Sequence, residues 1–145
     1  MTSAAHRNDD YKGGQLFNRV DRNKLTQDFA AAAQWLKAHP LSSGKVCVTG
    51  FCFGGGVSDT LATLPGADLA AAAPFYGGAP ALTEVPKIKA AILVHHGALD
   101  PHEGHLRPNS VHGFFNDATP ERCNKNTAPQ AWSRTIEWFN QDARS

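Results

Sequence analysis

The sequence predicts an α/β fold built on a short, mainly parallel sheet, and three observations carry that prediction. Helix-like and strand-like stretches alternate along the chain, as they do where helices cross between parallel strands. Ala90-Ala91-Ile92-Leu93-Val94-His95-His96 opens with an unbroken apolar run, which suits a parallel strand covered on both faces. A short β-rich run, Val46-Cys47-Val48-Thr49, enters a glycine-rich turn from which a helix departs.

Residues 1–20 are polar and glycine-containing and read as a loose lead-in, leaving 21–145 as a single domain. The first helix is expected from Arg22 to Ala38. Leu25, Phe29, Ala32, Ala33 and Leu36 fall at helical spacing, and Asp21 stands at the cap position. His39-Pro40 ends it, because proline pushes the residue before it out of helical geometry. Lys45 to Thr49 is the first strand, and the helix after the turn runs to about Leu64, where Pro65-Gly66 breaks it. Leu69 to Pro74 is the second strand, with Phe75-Tyr76-Gly77-Gly78 leaving it as a loop. Ala90 to His96 is the third. The stretch 97–126 is rich in Gly, Pro, Asn and His and reads as loop. Thr127-Ala128-Pro129-Gln130 has the pattern of a capping box and opens a helix to about Gln141. Phe29 and Leu36 on the first helix, and Trp132, Ile136 and Phe139 on the last, are the expected core faces.

Composition narrows the function classes. Lys and Arg number 14 against 13 Asp and Glu, a net charge of +1, which gives no electrostatic footprint for nucleic acid or an anionic membrane. No apolar run approaches the roughly 20 residues of a membrane span, and the first residues have no apolar signal-peptide core. Three cysteines, an odd number, argue against a disulfide framework and for a reducing compartment, so a cytoplasmic location is expected.

The chemistry centres on Gly50-Phe51-Cys52-Phe53-Gly54-Gly55-Gly56. A strand, a Gly-x-Cys-x-Gly turn and a helix form the layout of a nucleophile elbow, with cysteine where serine is commoner. The turn is crowded, so Gly50 and Gly54 stand where a Cβ would meet neighbouring backbone. Cys52 is placed at a helix N-terminus, where partial positive charge favours thiolate. A cysteine nucleophile needs a base and the base an orienting group, and in α/β hydrolases these follow in the order nucleophile, acid, histidine. Asp100 lies just past the carboxyl end of the third strand, the edge where open α/β sheets assemble their sites. His112 follows in a loop with Gly113 behind it.

Each residue also has a blander reading. Cys52 could be a small buried residue beside a tight turn, Asp100 before Pro101 a turn initiator, and His112 a loop histidine packed by Phe114 and Phe115. The turn, its glycines and the chain order together favour the catalytic one. Cys47 reads as structural and Cys123 as an incidental exposed thiol. His95 and His96 read as strand-end structural residues, one of them a candidate for lining the pocket. Asp100, His102, His105 and His112 could instead offer a metal N/O ligands. However, His102-Glu103-Gly104-His105 is one residue short of the His-Glu-x-x-His motif, and Gly104 disfavours a helix. No metal is expected.

Taken together, the elbow, Pro74-Phe75-Tyr76-Gly77-Gly78, Gly97-Ala98-Leu99-Asp100, His112-Gly113-Phe114-Phe115-Asn116-Asp117 and the terminal Ala131-Trp132-Ser133-Arg134-Thr135 resemble the dienelactone hydrolase family. The resemblance covers most of residues 20 to 141. It implies a reduced α/β-hydrolase-like three-layer sandwich that hydrolyses a small ester or lactone with no cofactor. Carried over by motif, Cys52 is nucleophile, His112 base and Asp100 its orienter. The Phe53 N–H serves the oxyanion, and Phe51, Phe75, Tyr76 and Phe114 line the substrate pocket.

The chain departs from that family in two places. Family members begin with further strands, whose loop supplies a second oxyanion N–H and an acidic residue controlling the cysteine, so this chain reads as a truncated member. They also place a helix and a strand between acid and histidine, where this chain has room only for a direct loop. A catalytically weak remnant that works by binding or assembly is therefore the rival function. Few strands should leave an apolar edge unpaired, so a homodimer is expected.

Overall fold

The computed structural model describes residues 11–100 and 109–144. Within the stretch read as a loose lead-in, 11–17 form a helix, α1. Helix α2 spans Arg22–Ala38, and Asp21 caps it by accepting the N–H groups of Asn23 and Lys24 at 2.9 and 3.1 Å. His39 ends it in extended geometry, as its proline neighbour dictates. There follow β1 (Cys47–Phe51), α3 (Phe53–Thr63), β2 (Ala71–Phe75), a 3₁₀ turn (Val85–Lys87), β3 (Ala91–Ile92) and α4 (Thr127–Arg144).

The sheet has the order β1-β2-β3, and both pairings are parallel. Strand β1 lies two residues later than expected because Gly50 and Phe51 stay in the ladder, opposite Pro74 and Phe75. For the same reason Phe75 belongs to β2 rather than to the loop after it. Strand β3 is shorter than Ala90 to His96, although its hydrogen bonding continues. Leu93 N–H reaches the Ala72 carbonyl and His95 N–H the Pro74 carbonyl, each at 2.9 Å. As the edge strand, β3 is only half-buried over 90–94, not covered on both faces; 95–97 are buried.

Three layers result. Alternate residues of β2 face opposite sides. Ala72 joins Ala33, Leu61, Ala62 and Leu69 in a cluster under α2 and α3, whereas Phe75 joins Tyr76, Phe114, Ala128 and Ala131 under α4. Contrary to expectation, Phe29, Leu36, Trp132 and Ile136 are exposed and Phe139 is only half-buried. The helices instead bury their smallest residues: Ala33 on α2, and Ala128, Ala131 and Thr135 on α4. Three strands span only about 10 Å, roughly one helix diameter, so the sheet covers one narrow stripe of each helix and leaves the bulky flanks outside.

Two polar contacts fix α4 to the sheet. His95 Nε2 and Thr135 Oγ1 lie 2.9 Å apart, both fully buried, and Trp138 Nε1 donates to the Ala91 carbonyl at 3.3 Å. The capping box expected of Thr127 and Gln130 is not what starts the helix. Asn124 Oδ1 accepts the Asn126 and Thr127 N–H groups at 3.1 and 3.0 Å, because Thr127 is already the first helical residue.

Candidate active site

The elbow is a backbone device first. Cys52 sits between β1 and α3 at φ 52 and ψ −114, a left-handed conformation that costs a side-chain-bearing residue about 1–3 kcal/mol. Its N–H donates to the Phe75 carbonyl at 3.0 Å and its carbonyl accepts from Gly56 N–H at 3.1 Å, so the strain is held from both sides. A Cβ on Gly50 would collide with the Gly54 carbonyl, and one on Gly55 would meet the Phe75 carbonyl at 2.5 Å. Both positions therefore require glycine. The turn leaves the Cys52 side chain exposed at the carboxyl end of the sheet. Phe53 opens α3, so its N–H is among the donors that a helix leaves without an internal acceptor.

Asp100 and His112 come to this cysteine. His112 Nε2 lies 3.2 Å from Cys52 Sγ, and His112 Nδ1 lies 2.9 Å from Asp100 Oδ2. The Asp100 side chain is 1 % exposed and that of His112 33 %, so the line runs from a buried carboxylate outward to an accessible thiol. The short link between acid and histidine works by direct apposition. Leu99 N–H donates to the Ser110 carbonyl at 2.9 Å, and Gly97 lies so close that a Cβ there would strike the same carbonyl.

Asn124, which composition alone did not single out, holds this apposition. Its Nδ2 donates to the Asn109 carbonyl at 3.2 Å and to Ser110 Oγ at 3.1 Å, and its N–H donates to the Phe114 carbonyl at 2.8 Å. One side chain thus ties the His112 loop to the start of α4. The available signal was an asparagine three residues ahead of the helix, a residue type that caps readily.

Two clefts meet at the cysteine, one of about 680 Å³ and the other of about 490 Å³. Cys52, Tyr76 and His112 line both. Phe53 lines the first and Phe51 the second. Phe75 and Phe114, expected in the pocket, are fully buried in the cluster beneath α4 and line neither cleft, because β2 keeps Phe75 in the sheet and Phe114 packs on it. The Tyr76 ring meets the His112 ring edge-on at 5.1 Å. Burial, reinforced by the Cys52 and Cys123 thiols, pushes the Tyr76 hydroxyl up to about 12, so it remains an O–H donor at any ordinary pH.

The remaining histidines and cysteines divide by environment. His95 is structural, whereas His96 lines the larger cleft with its Nδ1 buried and without a hydrogen-bond partner among the described residues. Cys47 is half-buried in β1, and burial raises its thiol above the usual range. Cys123 is also half-buried rather than exposed. His102, Glu103 and His105 lie outside the described residues. Among the described residues no cluster of metal-ligating side chains occurs, and no helix is long and apolar enough to cross a membrane.

A parallel sheet carrying a nucleophile elbow, with helices on both faces and acid and histidine following in order, defines the α/β-hydrolase fold. The chain belongs to the dienelactone hydrolase family, whose model matches residues 3–106 and 101–143. The two matched stretches meet in the segment between Asp100 and His112. Among solved structures, the fold is similar to that entitled "Crystal Structure of Putative Dienelactone Hydrolase from Klebsiella pneumoniae subsp. pneumoniae MGH 78578", with a TM-score of 0.72 at 22% identity. That match covers 86% of this chain and 64% of the neighbour, so the chain spans under two thirds of the neighbour's length. No curated protein matches.

Proposed function

We propose that the chain hydrolyses a carboxylic ester or lactone through a covalent thioester on Cys52. The observation that supports this best is the continuous line from Asp100 Oδ2 through His112 to Cys52 Sγ, with separations of 2.9 and 3.2 Å. Each distance is within reach of proton transfer or hydrogen bonding. Asp100 fixes the imidazole so that Nε2 faces the sulfur. The sulfur attacks the carbonyl carbon while His112 takes the thiol proton, and the carbonyl oxygen becomes an oxyanion beside the Phe53 N–H. Collapse expels the alcohol, which receives the proton from His112. Water then attacks the thioester, its proton passes to His112, and the acid departs as the thiol is restored. A positioned base contributes about 10²–10⁴-fold and each oxyanion donor about 10²–10³-fold.

Tyr76 bounds the site from its buried side and packs against the imidazole edge, limiting how far His112 can swing. No organic cofactor enters this scheme. Mass spectrometry tests it: incubation with an aryl acetate, quenched rapidly, is expected to leave one acetyl group on the peptide carrying Cys52. Acetylation confined to other residues, with phenol still released catalytically, would overturn the reading.

A further inference from the structure

The cysteine does not lie at the bottom of a single pocket. Cys52, Tyr76 and His112 form a saddle, with a cleft of about 680 Å³ on one side and one of about 490 Å³ on the other. Each is of the size that holds a small organic ligand. A compact cyclic lactone keeps its acyl and alkoxy halves in one ring and needs only one such space. An open-chain ester sends its two halves away from the carbonyl carbon in different directions, and only such a substrate could use both.

We propose that this site, read as an ester hydrolase, is built for an open-chain ester whose acyl arm lies in the larger cleft and whose alcohol arm lies in the smaller one. The assignment follows from where charge and proton must go. The oxyanion donor, Phe53, opens α3 on the wall of the larger cleft, which continues along Leu25 of α2 and Val57 of α3. That wall is largely apolar and suits an alkyl chain attached to the carbonyl carbon. The smaller cleft is formed by the His112 loop itself, through Gly113, Phe115, Asn116 and Asp117. The leaving oxygen must receive its proton from His112, so the alcohol departs on that side. Phe51 and Phe115 stack there with centroids 5.2 Å apart and planes 23° from parallel, and Arg122 closes the rim. A flat or aromatic alcohol fits between these rings and the polar edge.

Two variants on cleft walls, away from Cys52, Asp100 and His112, separate the arms. Thr26 faces the larger cleft from α2, and Asp117 is exposed on the smaller. The measurement is kcat/KM for phenyl acetate, phenyl octanoate, methyl butyrate, 2-naphthyl butyrate and γ-butyrolactone. The chain is expected to prefer phenyl octanoate and 2-naphthyl butyrate over the lactone by about tenfold or more, the scale that a few buried methylenes provide. Thr26→Trp should lower turnover of the octanoate while sparing phenyl acetate. Asp117→Trp should lower turnover of the naphthyl ester at least about tenfold more than that of methyl butyrate, so that the ratio of the two is the readout. A preference for the lactone, variants that act on the same arm or on neither, or exchanged effects would overturn the proposal. Phenyl acetate asks little of the larger cleft, so its Cys52-dependent hydrolysis by the native chain and by Thr26→Trp reports the hydrolase reading separately. Loss of that activity alone would sink the reading, whereas its survival with indifferent arms sinks only the two-cleft assignment.

Discussion

The Leu99 N–H donates to the Ser110 carbonyl at 2.9 Å, and this bond sets Asp100 and His112 on adjacent stretches of backbone. Where a longer chain would need a crossover to bring acid and histidine together, two short segments here lie directly against each other. Gly97 permits the approach and Asn124 clamps it from the α4 side.

The two functions of Asn124 can be separated by substitution. Asn124→Ala removes the cap and the clamp together and should lower stability by about 1–2 kcal/mol, alongside a fall in kcat. Asn124→Asp keeps an acceptor for the Asn126 and Thr127 N–H groups but cannot donate to Asn109 and Ser110. It should therefore retain most of the stability while still losing turnover. Thermal melts and initial rates on one preparation check this, and undiminished turnover in Asn124→Asp would argue against a clamp.

Asp100 and His112 should behave as one unit. Asp100→Asn and His112→Ala are each expected to cost roughly 10²–10⁴ in kcat, and the double variant about as much as the worse single one. Multiplying losses would mean that the 2.9 Å contact between them has no catalytic role.

Thiol reactivity should be selective. The Cys47 thiol is raised by burial, so at neutral pH it carries less thiolate than an ordinary cysteine, and thiolate is the reactive form. Cys52 is exposed and in contact with His112. Iodoacetamide near pH 7 should label Cys52 first, followed at higher pH by Cys47, with peptide mapping as the readout. Equal labelling of the three cysteines would remove the case for an activated thiol.

The sheet predicts association. Among the described residues no strand pairs with the outer edge of β1, and edges of this kind template pairing. A dimer is expected by sedimentation at micromolar concentration, and a stable monomer would show that the edge is closed within the chain.

The site was more legible in the sequence than its surroundings. Gly50, Cys52 and Gly54 declare a turn, although crowding demands glycine at Gly50 and Gly55 while a Cβ on Gly54 would meet nothing within 4 Å, and Asp100 and His112 follow by chain order. Core faces were less legible. Periodicity marked Phe29, Leu36, Trp132 and Ile136 as apolar, but the sheet's width decides what is buried, and a three-stranded sheet selects Ala33, Ala128 and Ala131. Phe75 and Phe114 were read as pocket residues because they flank functional ones. Register and packing, set by contacts distant in sequence, place them in the core instead. Asn124 escaped notice because its value lies in joining a loop to a helix start, a relation that local pattern does not express.

Comparing hydrolysis of phenyl acetate by the native chain and by Cys52→Ala tests the central claim most directly. The account predicts Cys52-dependent turnover that falls to the uncatalysed background in the variant, because no second nucleophile replaces the sulfur. Undiminished turnover by Cys52→Ala would contradict it, and the absence of turnover by the native chain would favour a hydrolase fold that works by binding or assembly.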